Sequence, residues 1–136
     1  MSIKLSSEAA AKRRIILKLD AIAREKCFER DRRRDGLIMC QSCRQGQLYQ
    51  PHWAHILSRR DLSIRWEADN ALSLCERCHD YFDNHKTDSL RWFETCWPER
   101  MAHIRELQQS HQMFGNTIES LKELLAEMSN GHHDSH

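Results

Sequence analysis

Two closely spaced cysteine pairs constrain the fold of this chain more than any other feature of its sequence. Cys40 and Cys43 form one C-x2-C pair, and Cys75 and Cys78 form the other. In each pair the spacing suits a tight turn that offers two thiolates to one tetrahedral metal ion. The four cysteines therefore predict a single structural zinc site, with a long segment of chain inserted between its two halves.

The composition indicates one domain with an apolar core. The chain has 136 residues, of which 40% are hydrophobic and 30% charged, with a mean hydropathy of -0.76. No apolar run approaches the roughly 20 residues that cross a bilayer, and the N-terminus lacks the order of a signal peptide. We therefore expect a cytoplasmic protein with no membrane partner, whose six cysteines are thiols or metal ligands rather than disulfides.

Hydrophobic periodicity divides the chain into four segments. They are a basic amphipathic helix at residues 1–36, a zinc-binding core with flanking helices at 37–114, a C-terminal helix at 115–130 and a disordered tail at 131–136. Serine should cap the first helix, and Gly36 should end it.

Within the core, strands are expected inside the insert and helices after it. The predicted strands are residues 46–50 and 53–57. One helix should begin near Cys78, a second after a cap formed by Thr87, Asp88 and Ser89, and a third at Pro98.

The charges are unevenly distributed along the chain. Residues 1–35 hold eleven Lys and Arg against six Asp and Glu, a net charge of +5, whereas residues 36–136 hold ten against fourteen, a net charge of -4. A basic N-terminal helix is compatible with contact to a phosphate backbone. The alternative is a solvated helix whose charges are neutralised by i,i+4 ion pairs, and both interpretations remain open at this point.

The last helix carries an apolar stripe, which consists of Ile118, Leu121, Leu124, Leu125 and Met128. Such a stripe most often packs against its own domain. The alternative is a contact between two copies of the chain, so a homodimer is a second interpretation.

The insert between the cysteine pairs contains the sequence PHWAHILSRR, residues 51–60, with histidines at His52 and His55. Because four cysteines already complete a tetrahedral zinc shell, neither histidine is needed as a structural ligand. Farther along the chain come Asn70 and then LCERCH, in which His79 directly follows the second cysteine pair.

This order of residues resembles the HNH endonucleases, and in particular the NinG-like (Rap-like) recombination nucleases of lambdoid phages. The matching pieces extend over roughly residues 15–110 and are Leu19-Asp20 through Arg30-Asp31, CQSC, AHILSR, IRW, Asn70 and LCERCH. The resemblance implies an α+β fold with a small ββα-metal core, held together by the four-cysteine zinc and flanked by a long N-terminal helix and by C-terminal helices.

The resemblance also implies roles for three residues in phosphodiester hydrolysis. His55 would be the general base, since a neutral histidine can take a proton from water at physiological pH. Asn70 would hold the His55 ring through an amide contact, and His79 would help to bind a catalytic Mg2+ or Mn2+ ion.

The sequence departs from the family pattern next to the general base, where most HNH enzymes have an Asp or a His and this chain has Ala54. His52 is one replacement ligand, because alternate residues of a strand share a face. Asp83 is another, because it follows His79 by one helical turn, and His85 is a further alternative.

The predicted site is flanked by three arginines that are expected to contact DNA phosphates, Arg59, Arg60 and Arg65.

The predicted function is a metal-dependent DNA endonuclease of a phage or prophage, acting in the bacterial cytosol on branched recombination intermediates such as D-loops and Holliday junctions. No small-molecule substrate is expected. The alternatives are an HNH nicking endonuclease for phage DNA packaging or restriction, and a zinc-dependent DNA-binding module without catalytic activity, which Ala54 favours.

Overall fold

The computed structural model describes residues 6–47, 50–110 and 117–133. In this part of the chain, six α-helices, four short strands and one 3-10 helix form an α+β fold, as predicted. In chain order the elements are α1 (Ser7–Arg30), β1 (Ile38–Met39), β2 (Gly46–Gln47), β3 (His52–His55), α2 (Leu62–Arg65), the 3-10 helix (Ala68–Asn70), β4 (Ala71–Leu74), α3 (Glu76–Asn84), α4 (Lys86–Cys96), α5 (Pro98–Ser110) and α6 (Ile118–His133).

Helix α1 begins as predicted but ends earlier. The Ser6 hydroxyl accepts a hydrogen bond from the Ala9 N–H at 3.0 Å, which caps the first turn. The helix ends at Arg30 rather than at Gly36, because the Asp31 carboxylate is buried and accepts a hydrogen bond from the Ser73 N–H at 3.0 Å. A contact distant in sequence therefore ends the helix, while Gly36, at φ +90°, belongs to the turn that follows.

The strands form two antiparallel pairs in the described residues, β1 with β2 and β3 with β4. In the second pair His52 lies opposite Leu74, and His55 lies opposite Ala71. Strand β3 ends at His55, two residues before the predicted end at residue 57. Strand β2 covers the first two residues of the predicted segment 46–50, of which residues 48 and 49 lie outside the described part of the chain.

Helix α3 follows β4 directly, so β3, β4 and α3 form a ββα unit. Helix α3 begins at Glu76, close to the predicted position. Helix α4 begins at Lys86 with His85 as its N-cap, so the predicted cap at Thr87, Asp88 and Ser89 is wrong. The prediction for Pro98 is confirmed, because this residue is the first of α5, where a missing N–H costs nothing.

In the described part of the chain, two apolar clusters account for most of the core. The larger one surrounds the ββα unit and includes Ala54, Leu72, Phe82 and Phe93. The smaller one joins α6 to α1, and the predicted apolar stripe of α6 contributes Leu121 as its fully buried residue together with half-buried neighbours. The prediction that the stripe packs against its own domain is therefore confirmed, and the homodimer stays a prediction.

Helix α6 continues to His133, so residues 131–133 are helical although they were assigned to a disordered tail. Residues 134–136 of that predicted tail lie outside the described part of the chain. Among the helices that the structure describes, none has both the length and the apolar composition needed to span a membrane.

Candidate metal centre and histidine cleft

The four paired cysteines meet at one point, as their spacing predicts. The turn between β1 and β2 carries Cys40 and Cys43, and the junction of β4 with α3 carries Cys75 and Cys78. Their sulfur atoms all lie within 4.8 Å of one another, and none of the four forms a disulfide. Cys43 Sγ and Cys75 Sγ are 4.0 Å apart, close to the separation of about 3.8 Å that a tetrahedral zinc–thiolate site requires.

The chemistry of these thiols suits a cation. Burial raises the pKa of the Cys40 thiol, but hydrogen bonds from the backbone of Cys75, Cys43 and Ser42 outweigh burial and lower the pKa to about 7. Burial and the neighbouring Cys75 and Cys40 sulfurs raise the pKa of Cys78 to about 12. Thiols packed this closely cannot all ionise unless a cation lies between them, so the cluster has the properties of a metal site.

His55, at the end of β3, is half-buried and held by the backbone. Its Nε2 lies 2.9 Å from the carbonyl oxygen of Arg65. Because a carbonyl can only accept, this contact assigns the proton of the neutral ring to Nε2 and leaves Nδ1 with its lone pair. Burial lowers the pKa of His55, the hydrogen bond to the Arg65 carbonyl raises it, and the charges of Arg59 and Arg65 lower it again, so that the pKa lies below its ordinary value and the neutral ring is favoured.

The three predicted ligands of a catalytic ion lie side by side but do not converge on one point. His79 Nδ1 lies 2.9 Å from His52 Nδ1, whereas His79 Nε2 lies 3.3 Å from Asp83 Oδ2. Because the two nitrogens of one imidazole point in different directions, a single ion can be shared by His79 with His52 or with Asp83, but not with both. The four cysteines form the one group of three or more possible ligands detected among the described residues.

Two further positions bear on the ligand set, Ala54, which lacks a donor side chain, and His85, which stays a predicted alternative. Ala54 is fully buried in the core, so a donor side chain at this position would displace apolar packing. His85 stacks on the Tyr81 ring at 4.0 Å and its Nδ1 lies 3.0 Å from the Tyr81 carbonyl oxygen.

His55 and His79 open onto one cavity of about 190 Å³, which we call the histidine cleft. Its lining residues are Trp53, His55, Leu57, Ser58, Arg59, His79, Asp83 and Lys86. Arg59 and Lys86 thus bring two cations to the cleft that also holds two imidazoles, and Lys86 Nζ lies 3.5 Å from the Asp83 carboxylate in the same lining. Sequence reasoning missed Lys86, although its position one helical turn after Asp83 gave a weak signal.

The side chain of Asn70 holds the loop that follows β3 in place. It does not hold the ring of His55. Its Oδ1 accepts a hydrogen bond from the Leu57 N–H at 2.8 Å, and its Nδ2 donates to the carbonyls of Leu57 and Ile64 at 3.3 and 3.1 Å. The predicted amide contact to His55 is therefore wrong, because the fully buried side chain is used to satisfy backbone groups. Asn70 still acts on the site indirectly, since the loop it holds carries Arg59.

We expect Asn70→Ala to destabilise the fold by about 3 kcal/mol, because the change removes the side-chain partner of the Leu57 N–H and C=O and one of the donors to the buried Ile64 carbonyl. The matched control is Asn84→Ala, whose exposed amide bonds to the Asp80 carbonyl in its own helix and should cost under about 1 kcal/mol. Denaturant unfolding measures the difference. Hydrogen exchange at the Leu57 amide should accelerate in Asn70→Ala alone, and unchanged protection there would contradict the assigned role.

Arg65 forms an ion pair with the carboxylate of Asp20. Its Nε and Nη2 donate to the Asp20 carboxylate at 2.9 and 2.7 Å, and Trp66 Nε1 donates to the same carboxylate at 2.8 Å. Arg65 Nη1 also donates to the Arg59 carbonyl at 3.2 Å. Arg59 and Arg60, the other two arginines predicted to contact DNA, are exposed.

Asp20→Ala should destabilise the protein by about 3 kcal/mol, because it leaves a largely buried guanidinium and an indole N–H without their acceptor. By comparison, Glu29→Ala breaks an exposed pair with Arg32 and should cost about 1 kcal/mol or less. Thermal or denaturant unfolding of the two variants tests this, and equal losses would contradict it.

The carboxylate of Asp20 should also make the stability of the fold depend on pH. Although burial raises the pKa of Asp20, hydrogen bonds from Arg65 and Trp66 outweigh burial and lower it below 3.8. The stability it contributes should therefore be complete above that ordinary value and decline as the pH falls through the lowered pKa.

Comparisons with protein-family models, curated proteins and solved structures yield no match to this chain.

Proposed function

We propose that this protein is a metal-dependent DNA endonuclease of the HNH type. The observation that carries the proposal is the ββα unit, in which the end of β3 and the first turn of α3 bring His55 and His79 to one cleft. The resemblance to HNH enzymes predicts this arrangement. The lowered pKa of His55, together with Arg59 and Lys86 in the cleft, adds support.

In the proposed reaction, His55 Nδ1 accepts a proton from water, and the resulting hydroxide attacks the phosphorus of a phosphodiester. The P–O3′ bond breaks, and the leaving 3′ oxygen takes a proton from solvent to become a hydroxyl. The Arg65 carbonyl keeps the His55 ring in the tautomer that proton acceptance at Nδ1 requires. Arg59 and Lys86 bind the nonbridging phosphate oxygens and orient the scissile bond. His79, with Asp83 or His52, would hold a Mg2+ or Mn2+ ion, which when bound would stabilise charge on the phosphorane and on the leaving 3′ oxygen.

The four-cysteine site is proposed to hold zinc in a structural role. A set of four thiolates favours zinc or iron–sulfur chemistry over oxygen-preferring ions. All four ligands come from the protein, so no coordination position is left for a substrate. Because the site links the β1–β2 turn to the β4–α3 junction, the ion would fix the end of the helix that carries His79.

The proposed substrate is branched DNA, such as a Holliday junction or D-loop formed during recombination in a phage or prophage. This part rests on the resemblance to NinG-like nucleases. The experiment that tests it compares cleavage of labelled four-way junctions and linear duplexes in Mg2+ or Mn2+. Faster junction cleavage supports the proposal, and equal rates favour a general nicking endonuclease.

A second candidate function is a zinc-dependent DNA-binding module without catalytic activity. It is favoured by the failure of His52, His79 and Asp83 to converge on one point. Titration with Mn2+, followed by electron paramagnetic resonance on zinc-loaded protein, separates the two candidates. The nuclease should bind one exchangeable Mn2+ that is lost in His79→Ala, whereas the binding module should bind none.

A further inference from the structure

We propose that the outer face of α1 binds the phosphate backbone of double-stranded DNA that flanks the histidine cleft. We define this outer face by its exposed cations Arg13, Arg14, Lys18 and Arg24, together with the exposed Leu17 between them. The inference deepens the proposed function, on which it rests, by giving the nuclease a place to hold the duplex beside the bond that it cleaves.

The first supporting observation is that these cations are unpaired. Within the described residues, ion pairs neutralise arginines elsewhere, including Arg30, Arg32, Arg65 and Arg100. None of the ion pairs of the described chain involves a cation of the outer face. The alternative in which i,i+4 pairs neutralise this part of the helix is therefore not supported.

The second observation is that two carboxylates of α1 have partners away from the outer face. Asp20 lies four residues before Arg24 and has the spacing of a helical ion pair, but its side chain turns inward to Arg65 and Trp66. Glu29 pairs with Arg32, beyond the end of the helix. Glu25, which directly follows Arg24, is thus the one exposed acid from Arg13 to residue 25 of the helix. The outer face therefore keeps a net positive charge.

The third observation is that the outer face is connected to the histidine cleft. Arg13 and Leu17 line a shallow groove together with Arg65. Arg65 is anchored to α1 through Asp20 and donates to the carbonyl of Arg59, whose side chain lines the histidine cleft. These contacts fix the position of the outer face relative to the cleft, and in the proposal one DNA molecule contacts both.

The dimensions agree with a duplex. At 1.5 Å per residue, Arg13 and Arg24 are separated by about 17 Å along the helix axis. That length corresponds to about five base pairs at 3.4 Å per step. Four flexible cations over this length suit successive phosphates, whose contacts position DNA without reading its sequence.

The test measures how the affinity for a labelled DNA duplex of mixed sequence depends on salt, without added Mg2+ or Mn2+ so that no cleavage occurs. The variant is Arg13→Gln/Arg14→Gln/Lys18→Gln in the full, zinc-loaded chain. The matched control, Arg91→Gln/Arg105→Gln/Lys122→Gln, removes the same number of arginines and lysines from exposed positions on α4, α5 and α6.

Each lost phosphate contact should reduce the slope of log affinity against log salt by about 0.9. We expect the α1 variant to lose about two to three units of slope, while the control keeps the wild-type slope. Equal slopes in the two variants, or a wild-type protein that does not bind the duplex, would overturn the inference. A wild-type protein that binds through α1 but never cleaves would instead overturn the proposed nuclease activity and leave this inference standing.

Discussion

Cys75→Ser is expected to abolish tight metal binding and to destabilise the fold more than any other single change considered. Binding of zinc to structural sites of this class supplies on the order of 10 kcal/mol at neutral pH, and that free energy becomes folding free energy. Serine is a poor replacement because its hydroxyl does not supply a thiolate. Cys75 is the N-cap of α3, so loss of the ion should also loosen the helix that carries His79.

The matched control is Cys96→Ser, because Cys96 is exposed on α4 and lies outside the cluster. Elemental analysis should give one tightly bound metal ion per chain in the wild type and in Cys96→Ser, and none in Cys75→Ser. Thermal unfolding should show a large loss of stability in Cys75→Ser alone. If Cys75→Ser kept one equivalent of metal and its melting temperature, the four-cysteine site would not have the role assigned to it.

His55→Ala is expected to reduce DNA cleavage by about a hundredfold to ten-thousandfold, the usual contribution of a general base. The fold should persist, because His55 contacts the backbone through a single hydrogen bond to the Arg65 carbonyl. DNA affinity should change little, since the phosphate contacts are proposed for Arg59, Lys86 and the outer face of α1 and not for His55. His103→Ala is the matched control, because His103 pairs with Asp69 away from the cleft.

The pH dependence of cleavage gives a second readout for His55. A general base works in its neutral form, so the rate should rise with pH through the pKa of His55 and then level off. Because burial lowers that pKa below 6.5, the rise should lie on the acidic side of this value. His103→Ala should keep the profile, and a His55→Ala variant with the wild-type rate and profile would rule out the assigned role.

The sequence predicted those features that depend on local spacing. Each C-x2-C pair forms its own turn, so the meeting of Cys40, Cys43, Cys75 and Cys78 required only that the two turns approach each other. The start of α1 at Ser6 and the start of α5 at Pro98 were predictable for the same reason, since a cap or a proline acts within one helical turn.

Contacts between residues far apart in sequence were not predictable in this way. The end of α1 depends on Asp31 meeting Ser73, and the structural role of Arg65 depends on Asp20, which lies 45 residues earlier in the chain. The position of Asp20 on the buried side of α1, next to Leu19, was the one available signal, because a buried carboxylate needs a partner. The role of Asn70 depends on a loop conformation that spacing does not specify.

The most direct test of the proposed activity is a time course of supercoiled plasmid DNA with zinc-loaded wild-type protein, in which Mg2+ or Mn2+ is added or omitted. Nicked or linear DNA should accumulate only when the divalent ion is present, and His55→Ala of equal zinc content should leave the plasmid supercoiled over the same period. A correctly folded wild-type protein that binds the plasmid but leaves it intact with either ion would rule out the proposed nuclease activity.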